Sequence, residues 1–160
     1  MASMREFEDT NTADIRYVIG IPLLVAVITF IPMIRIFYKI ADIPLVAFIG
    51  PAVATSTTFF FIYMFSKMST SITDGKIRIV WIFGFPKKEI QISEILSVEL
   101  QEITNWWGYG VKKGRGGSMW RAWGKTVVVV EKHDGKRVLI GSDNPHELHQ
   151  AIRSAVGDYS

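Results

Sequence analysis

The chain reads in two hydrophobic patterns. Its first part holds two long apolar runs with no alternation. Residues 17–34 (YVIGIPLLVAVITFIPMI) and 43–65 (IPLVAFIGPAVATSTTFFFIYMF) contain no charge. At ~1.5 Å per residue they reach roughly 27 Å and 35 Å, against a hydrocarbon core of ~30 Å. They predict a two-helix transmembrane hairpin joined by a short connector, 35–42, and preceded by a polar tail, 1–16. Pro22, Pro32 and Pro51 are expected to bend the helices. The hydroxyl run Thr55-Ser56-Thr57-Thr58 fits bonding to helix carbonyls or across a helix contact. From residue 66 the period changes to two. KIRIVW, KKEIQI, LSVELQEI and RVLI alternate or nearly so, and TVVVVE at 126–131 is apolar enough to be buried on both faces. Asp74-Gly75 and Asp134-Gly135 sit between such runs and predict hairpin turns. Phe83-Gly84-Phe85-Pro86 predicts another turn. The last stretch returns to helical spacing. Asn144 stands as an N-cap, Pro145 at the first helical position and Glu147 as a capping acid, with Leu148, Ile152, Ala155 and Val156 on one face. Six or seven antiparallel strands and one closing helix are expected for 66–160.

Charge orients the hairpin. Arg5, Arg16, Lys67, Lys76 and Arg78 lie on the side of the termini, and Arg35 and Lys39 lie in the connector. The excess of Lys and Arg beside the termini places both of them in the cytoplasm. The flank before residue 17 carries acids as well as Arg, unlike the basic start of a cleaved signal. No ionisable residue lies deep in either run, which argues against an ion or proton path.

The order of elements in 66–160 resembles that of bacterial pleckstrin-homology-like (PH-like) domains in small membrane proteins. ITDGKIRI followed by KKEIQISEILSVEL is similar to their opening. YGVKKGRGGSMWRAWGKTVVVVEKHDGKRVLIGSDNPHELHQAI is similar to their second half, GSDNPHEL being its most specific part. A two-span hairpin commonly precedes such domains. The resemblance implies an α+β chain: a helical hairpin, then a PH-like antiparallel β-barrel or sandwich capped by a C-terminal helix. It supplies a fold and a place at a bacterial inner membrane, and no reaction. The phosphoinositide binding of eukaryotic relatives does not carry over on fold alone.

Residues 106–125 (WWGYGVKKGRGGSMWRAWGK) are the most unusual stretch, with five cations and no acid. Trp106, Trp107, Tyr109, Trp120 and Trp123 interleave with Lys112, Lys113, Arg115, Arg121 and Lys125. Indole rings and cations suit the interfacial zone of an anionic bilayer. The same residue types suit a protein interface. A purely structural use is also open, with tryptophans in the core and glycines in turns. Binding of nucleic acid is not expected, because the chain is tethered and its net charge is only +3.

Composition removes several chemistries. The chain has 160 residues and no cysteine, so disulfides, thiolate metal sites and cysteine nucleophiles are excluded. His146 and His149 lie three apart, but HELH is not the HExxH pattern of zinc proteases. No GxSxG or Walker A pattern is present. The expectation is a non-catalytic module without cofactor. It docks a membrane or cytoplasmic protein, or a second copy of itself. The alternative is an anionic lipid gripped by 106–125.

Overall fold

A computed structural model of the chain describes residues 7–39, 48–104 and 108–157. The chain is α+β and divides into two compact units. One unit is Asp14–Met64, and the other combines Met1–Ala13 with Phe65–Ser160.

The first unit holds α1 (Ile15–Lys39) and α2 (Ile49–Met64), packed on each other. Residues Ile15–Ile36 of α1, with a mean hydropathy of 2.4, are long and apolar enough to cross a membrane. Among the described residues α1 is the one helix that meets this measure. The described part of α2 has 16 residues, about 24 Å at ~1.5 Å per residue, which is short of a ~30 Å core. Residues 43–47 of the expected second run, and 40–42 of the expected connector, lie outside the described residues. The connector does not begin at residue 35, because α1 carries on to Lys39. Pro22 and Pro32 stand inside α1. The Thr29 and Thr58 hydroxyls donate to Val25 and Ala54 carbonyls four residues back, both at 2.8 Å, which satisfies them within their own helices.

The second unit contains nine strands among the described residues. The strands are β1 (Phe7–Thr12), β2 (Lys67–Thr73), β3 (Lys76–Trp81), β4 (Lys87–Gln91), β5 (Ile95–Glu102), β6 (Gly110–Gly114), β7 (Gly117–Arg121), β8 (Thr126–Lys132) and β9 (Arg137–Gly141). They form a four-stranded sheet, β1-β2-β3-β4, and a five-stranded sheet, β5-β8-β9-β7-β6. α3 (Pro145–Gly157) packs on β5, β8 and the 3-10 turn at Ile92–Glu94. The sheets stay separate and do not close into a barrel, so of the expected barrel or sandwich the barrel is set aside. The expected all-antiparallel pattern is corrected too, because β7 and β9 run parallel. The segment read as a polar tail supplies β1, whose FEDTNT alternates too weakly to announce a strand but pairs fully with β2.

Alternation explains the core. Met68 and Ile72 of β2, Ile77, Ile79 and Trp81 of β3, and Ile90 of β4 face the same side. They meet Trp120, Val128, Val130, Val138 and Ile140 of the second sheet, together with Leu148 and Ile152 of α3, in one cluster. Val127 and Val129 point the other way, into a smaller cluster with Ile103 and Met119. TVVVVE is therefore buried on both faces, as its unbroken apolar run predicts. The Asp74-Gly75 turn has positive φ at both residues, 51° and 71°, the mirror-image geometry that matches strand twist.

Candidate functional site

The register gives the sandwich two distinct ends. At one end, Thr12 pairs with Lys67, and the Ala13 amide donates to the Ser66 carbonyl at 2.6 Å. The chain leaves for α1 and returns from α2 there, so this is the junction end. At the other end, Thr73 pairs with Lys76 around the Asp74-Gly75 turn. Three backbone bonds, each 2.9 Å, gather further turns beside it. Ile92 donates to Gly75, His133 to Glu94 and Arg137 to Gly116.

Cations far apart in sequence surround this end, Lys113 and Arg115 by the β6–β7 turn and Lys132 and Lys136 by the β8–β9 turn. Lys88 lies further along β4, two residues from the β3–β4 loop, with Ile79 as its register partner and on the same face as core residue Ile90. Its stem is half-buried and its ammonium must reach outward. Burial pushes its pKa down, and the charges of Lys132, Lys113 and Lys136 push it further the same way, opposed by Asp134. Lys132 is partnered by Glu94 at 2.9 Å, a hydrogen bond that raises its pKa. Lys136 is partnered by Asp134 at 2.9 Å, and that hydrogen bond lowers the Asp134 pKa. Among the described residues Lys88, Lys113 and Arg115 form no ion pair. Lys113 and Arg115 without carboxylates, by turns that also hold the partnered Lys132 and Lys136, make a surface where an anion gains Coulomb energy, and Lys88 feels the same positive field.

The residues singled out in 106–125 separate into two groups. Trp106 and Trp107 lie outside the described residues. Trp120 is buried in the main core, and its Nε1 donates to the Ser118 hydroxyl at 3.2 Å. Arg121 is fully buried at 0% exposure. It donates to the Gly124 carbonyl at 2.8 Å and the Gly108 carbonyl at 2.6 Å, with its guanidinium 4.7 Å from the centre of the Tyr109 ring. Tyr109 in turn stacks on Trp123, centroids 4.7 Å apart. Arg121 thus ties together the two ends of the hairpin that carries it. Lys112, Lys113, Arg115 and Lys125 are exposed. Of these, Lys113 at the end of β6 is one of the charges that lower the Lys88 pKa, and Arg115 stands in the adjoining β6–β7 turn.

Sequence reasoning missed Lys88, Lys132 and Lys136, because nothing local in KKEIQI or EKHDGK shows that these strands meet. It also missed Asn11, the polar pivot of the junction end. Asn11 Oδ1 accepts from the Ala122 and Trp123 amides at 2.7 and 2.8 Å, and its Nδ2 donates to the Trp123 carbonyl and Asp143 at 3.1 Å. Asp143 also accepts from the Thr12 amide. His149 Nε2 lies 3.2 Å from the Val98 carbonyl. Among the described residues no group of three or more His, Asp or Glu could hold a metal ion.

A model of a family of unknown function, DUF6141, matches residues 15–159, and the chain belongs to that family. No curated protein matches the chain.

Proposed function

We propose that this DUF6141 member is a non-catalytic, PH-like binding module, anchored by a two-span hairpin in a bacterial inner membrane with both termini cytoplasmic. Its turn end docks an acidic segment of a protein partner. The observation that carries this reading is that a backbone bond from Arg137 to Gly116 joins the β6–β7 turn, with Lys113 and Arg115, to the β8–β9 turn, with Lys132 and Lys136, cations in excess of their carboxylate partners. The PH-like reading is supported by strands followed by a C-terminal helix laid on a sheet. Anchorage is supported by the apolar length of α1. Docking a protein is favoured over gripping lipid through 106–125, because Trp120 and Arg121 are spent inside the fold. Lys113, Arg115, Lys132 and Lys136 also stand by turns joined to one another by backbone bonds.

The test uses the full chain in phosphatidylcholine nanodiscs, titrated with a fluorescent poly-glutamate peptide. Binding is expected to weaken steeply between low and moderate salt. It should be lost in a Lys88→Gln, Lys113→Gln, Arg115→Gln triple variant and kept in Lys67→Gln. Binding to phosphatidylglycerol vesicles without peptide binding would replace the protein reading by the lipid one. Binding to neither would remove the docking role.

A further inference from the structure

The β3–β4 connection, residues 82–86, exposes three large apolar side chains. Ile82 is 36% exposed, Phe83 57% and Phe85 72%. The loop is a formed turn. The Gly84 amide donates to the Trp81 carbonyl at 2.7 Å, and the Trp81 amide to the Pro86 carbonyl at 3.3 Å. Its backbone polar groups are thereby turned inward while two phenylalanines remain on the surface. In a sheet whose other apolar side chains mostly face the core, such exposure, greatest at Phe85, marks a surface suited to a large apolar neighbour.

Its place in the register identifies that neighbour. Trp81 pairs with Met68, so Ile82 follows level with Lys67, which pairs with Thr12. The loop therefore sits at the junction end, beside the strand ends that lead into α1 and back from α2. Only two strand spacings, about 10 Å, separate the end of β3 from the end of β1, and α1 begins at Ile15, three residues beyond Thr12. Exposed Lys67 and Lys87 flank the loop. Phe and Ile side chains that bury at the headgroup–acyl boundary, with cations beside them for the headgroups, are the composition of a membrane-contacting face.

We infer that residues 82–86 dip into the headgroup–acyl boundary of the bilayer that α1 enters, with Phe83 and Phe85 inserted and Lys67 and Lys87 at the phosphates. This rests on the anchorage proposed above. The loop is a second attachment point beside the α1–α2 hairpin. One attachment leaves the sandwich free to tumble on its tether, and a second fixes its tilt and holds the cationic turn end in solvent.

The chain has no cysteine, so single substitutions label cleanly. Phe85→Cys, Leu24→Cys in α1 and Arg115→Cys at the turn end each carry an environment-sensitive fluorophore, in the full chain in phosphatidylcholine nanodiscs. Quenchers are a nitroxide on the lipid acyl chain and aqueous iodide. The Phe85 label is expected to be blue-shifted and to lose most of its emission to nitroxide lipid and little to iodide. The Arg115 label should behave in the opposite way, and the Leu24 label should follow the lipid pattern. A Phe85 label quenched only by iodide, with Leu24 still quenched by lipid, would overturn the insertion and leave anchorage standing. A Phe85 label shielded from both quenchers would overturn it in favour of a protein cover, such as a second copy. A Leu24 label untouched by nitroxide lipid would overturn anchorage and insertion together.

Discussion

The two ends of the sandwich are built on opposite terms. The junction end is held by neutral hydrogen bonds converging on one side chain, Asn11, and by stacked aromatics locked by a buried guanidinium. The turn end is held by backbone bonds between turns and carries repelling ammonium groups that only partly find carboxylates. The first arrangement pairs most of its groups internally, leaving Arg121 Nε and one Asp9 oxygen without a partner among the described residues, and serves as a frame. The second leaves charge unsatisfied at the surface, which costs stability. On the proposed function, the difference separates the half of the basic aromatic segment that folds from the half that binds.

The largest effects should come from glycines that admit no side chain, one at each end. Gly117 has a φ of 145°, and a Cβ there would lie 1.8 Å from the Arg137 carbonyl oxygen. Backbone cannot yield to it, so Gly117→Ala should break the parallel β7–β9 pairing and cost more than about 3 kcal/mol. Gly141 is hemmed by Asn11 Oδ1 at 2.7 Å, Arg121 Cγ at 2.8 Å and Arg121 Cα at 3.0 Å, a milder overlap than at Gly117. Gly141→Ala should cost less, and urea titration of the two variants measures the order. Equal losses would dissolve the contrast between a backbone-built end and a side-chain-built one.

Next comes Asn11→Ala. It strands the Ala122 and Trp123 amides, at ~1–3 kcal/mol for each buried group left unpaired, so a loss of about 3 kcal/mol is expected. Hydrogen exchange should speed up at residues 121–124 and stay slow at β3. A uniform rise across both sheets would show that Asn11 is no local pivot.

Lys88→Gln should act in the reverse direction, raising the melting temperature slightly while weakening poly-glutamate binding. Burial and like charge hold the folded-state Lys88 pKa below its ordinary value. Just below that ordinary value the unfolded chain binds more protons, so this residue's penalty shrinks as pH rises through the interval. The stabilisation by Lys88→Gln is therefore present at neutral pH and should fade toward pH 10. A gain that stays constant with pH would assign it to packing instead.

The smallest effect concerns Asp9, a buried carboxylate of the junction end. Burial raises its pKa, and Asp143 and Glu147 add to that, against hydrogen bonds from Ser142 and Thr10. The folded state keeps this proton to higher pH than the unfolded chain does, so stability contributed here falls as pH rises above the ordinary carboxylate value. Asp9→Asn should be mildly stabilising at pH 7, with the gain vanishing in acid. Paired melting curves at pH 7 and pH 4 read this out. No change at either pH would mean that the charge of Asp9 is fully solvated.

What the sequence determined by itself is whatever one segment can specify alone. An uncharged apolar stretch makes α1 whatever surrounds it, Asp74-Gly75 makes a turn because both residues tolerate positive φ, and Pro145 with a spaced apolar face makes α3. The strands at KIRIVW, TVVVVE and RVLI follow from period two in the same way. Tertiary structure decided everything that depends on which segments meet. FEDTNT becomes a strand only because β2 offers it a free edge, and β7 runs parallel to β9 only because the sheet brings them side by side. Lys88 comes under the charge of Lys113, Lys132 and Lys136, and Arg121 changes from a surface cation to a buried clamp, through the meeting of segments distant in sequence. Local periodicity carries information about burial on a face, whereas electrostatic environment depends on neighbours in space. That is why the frame was legible in the chain and the cationic site was not.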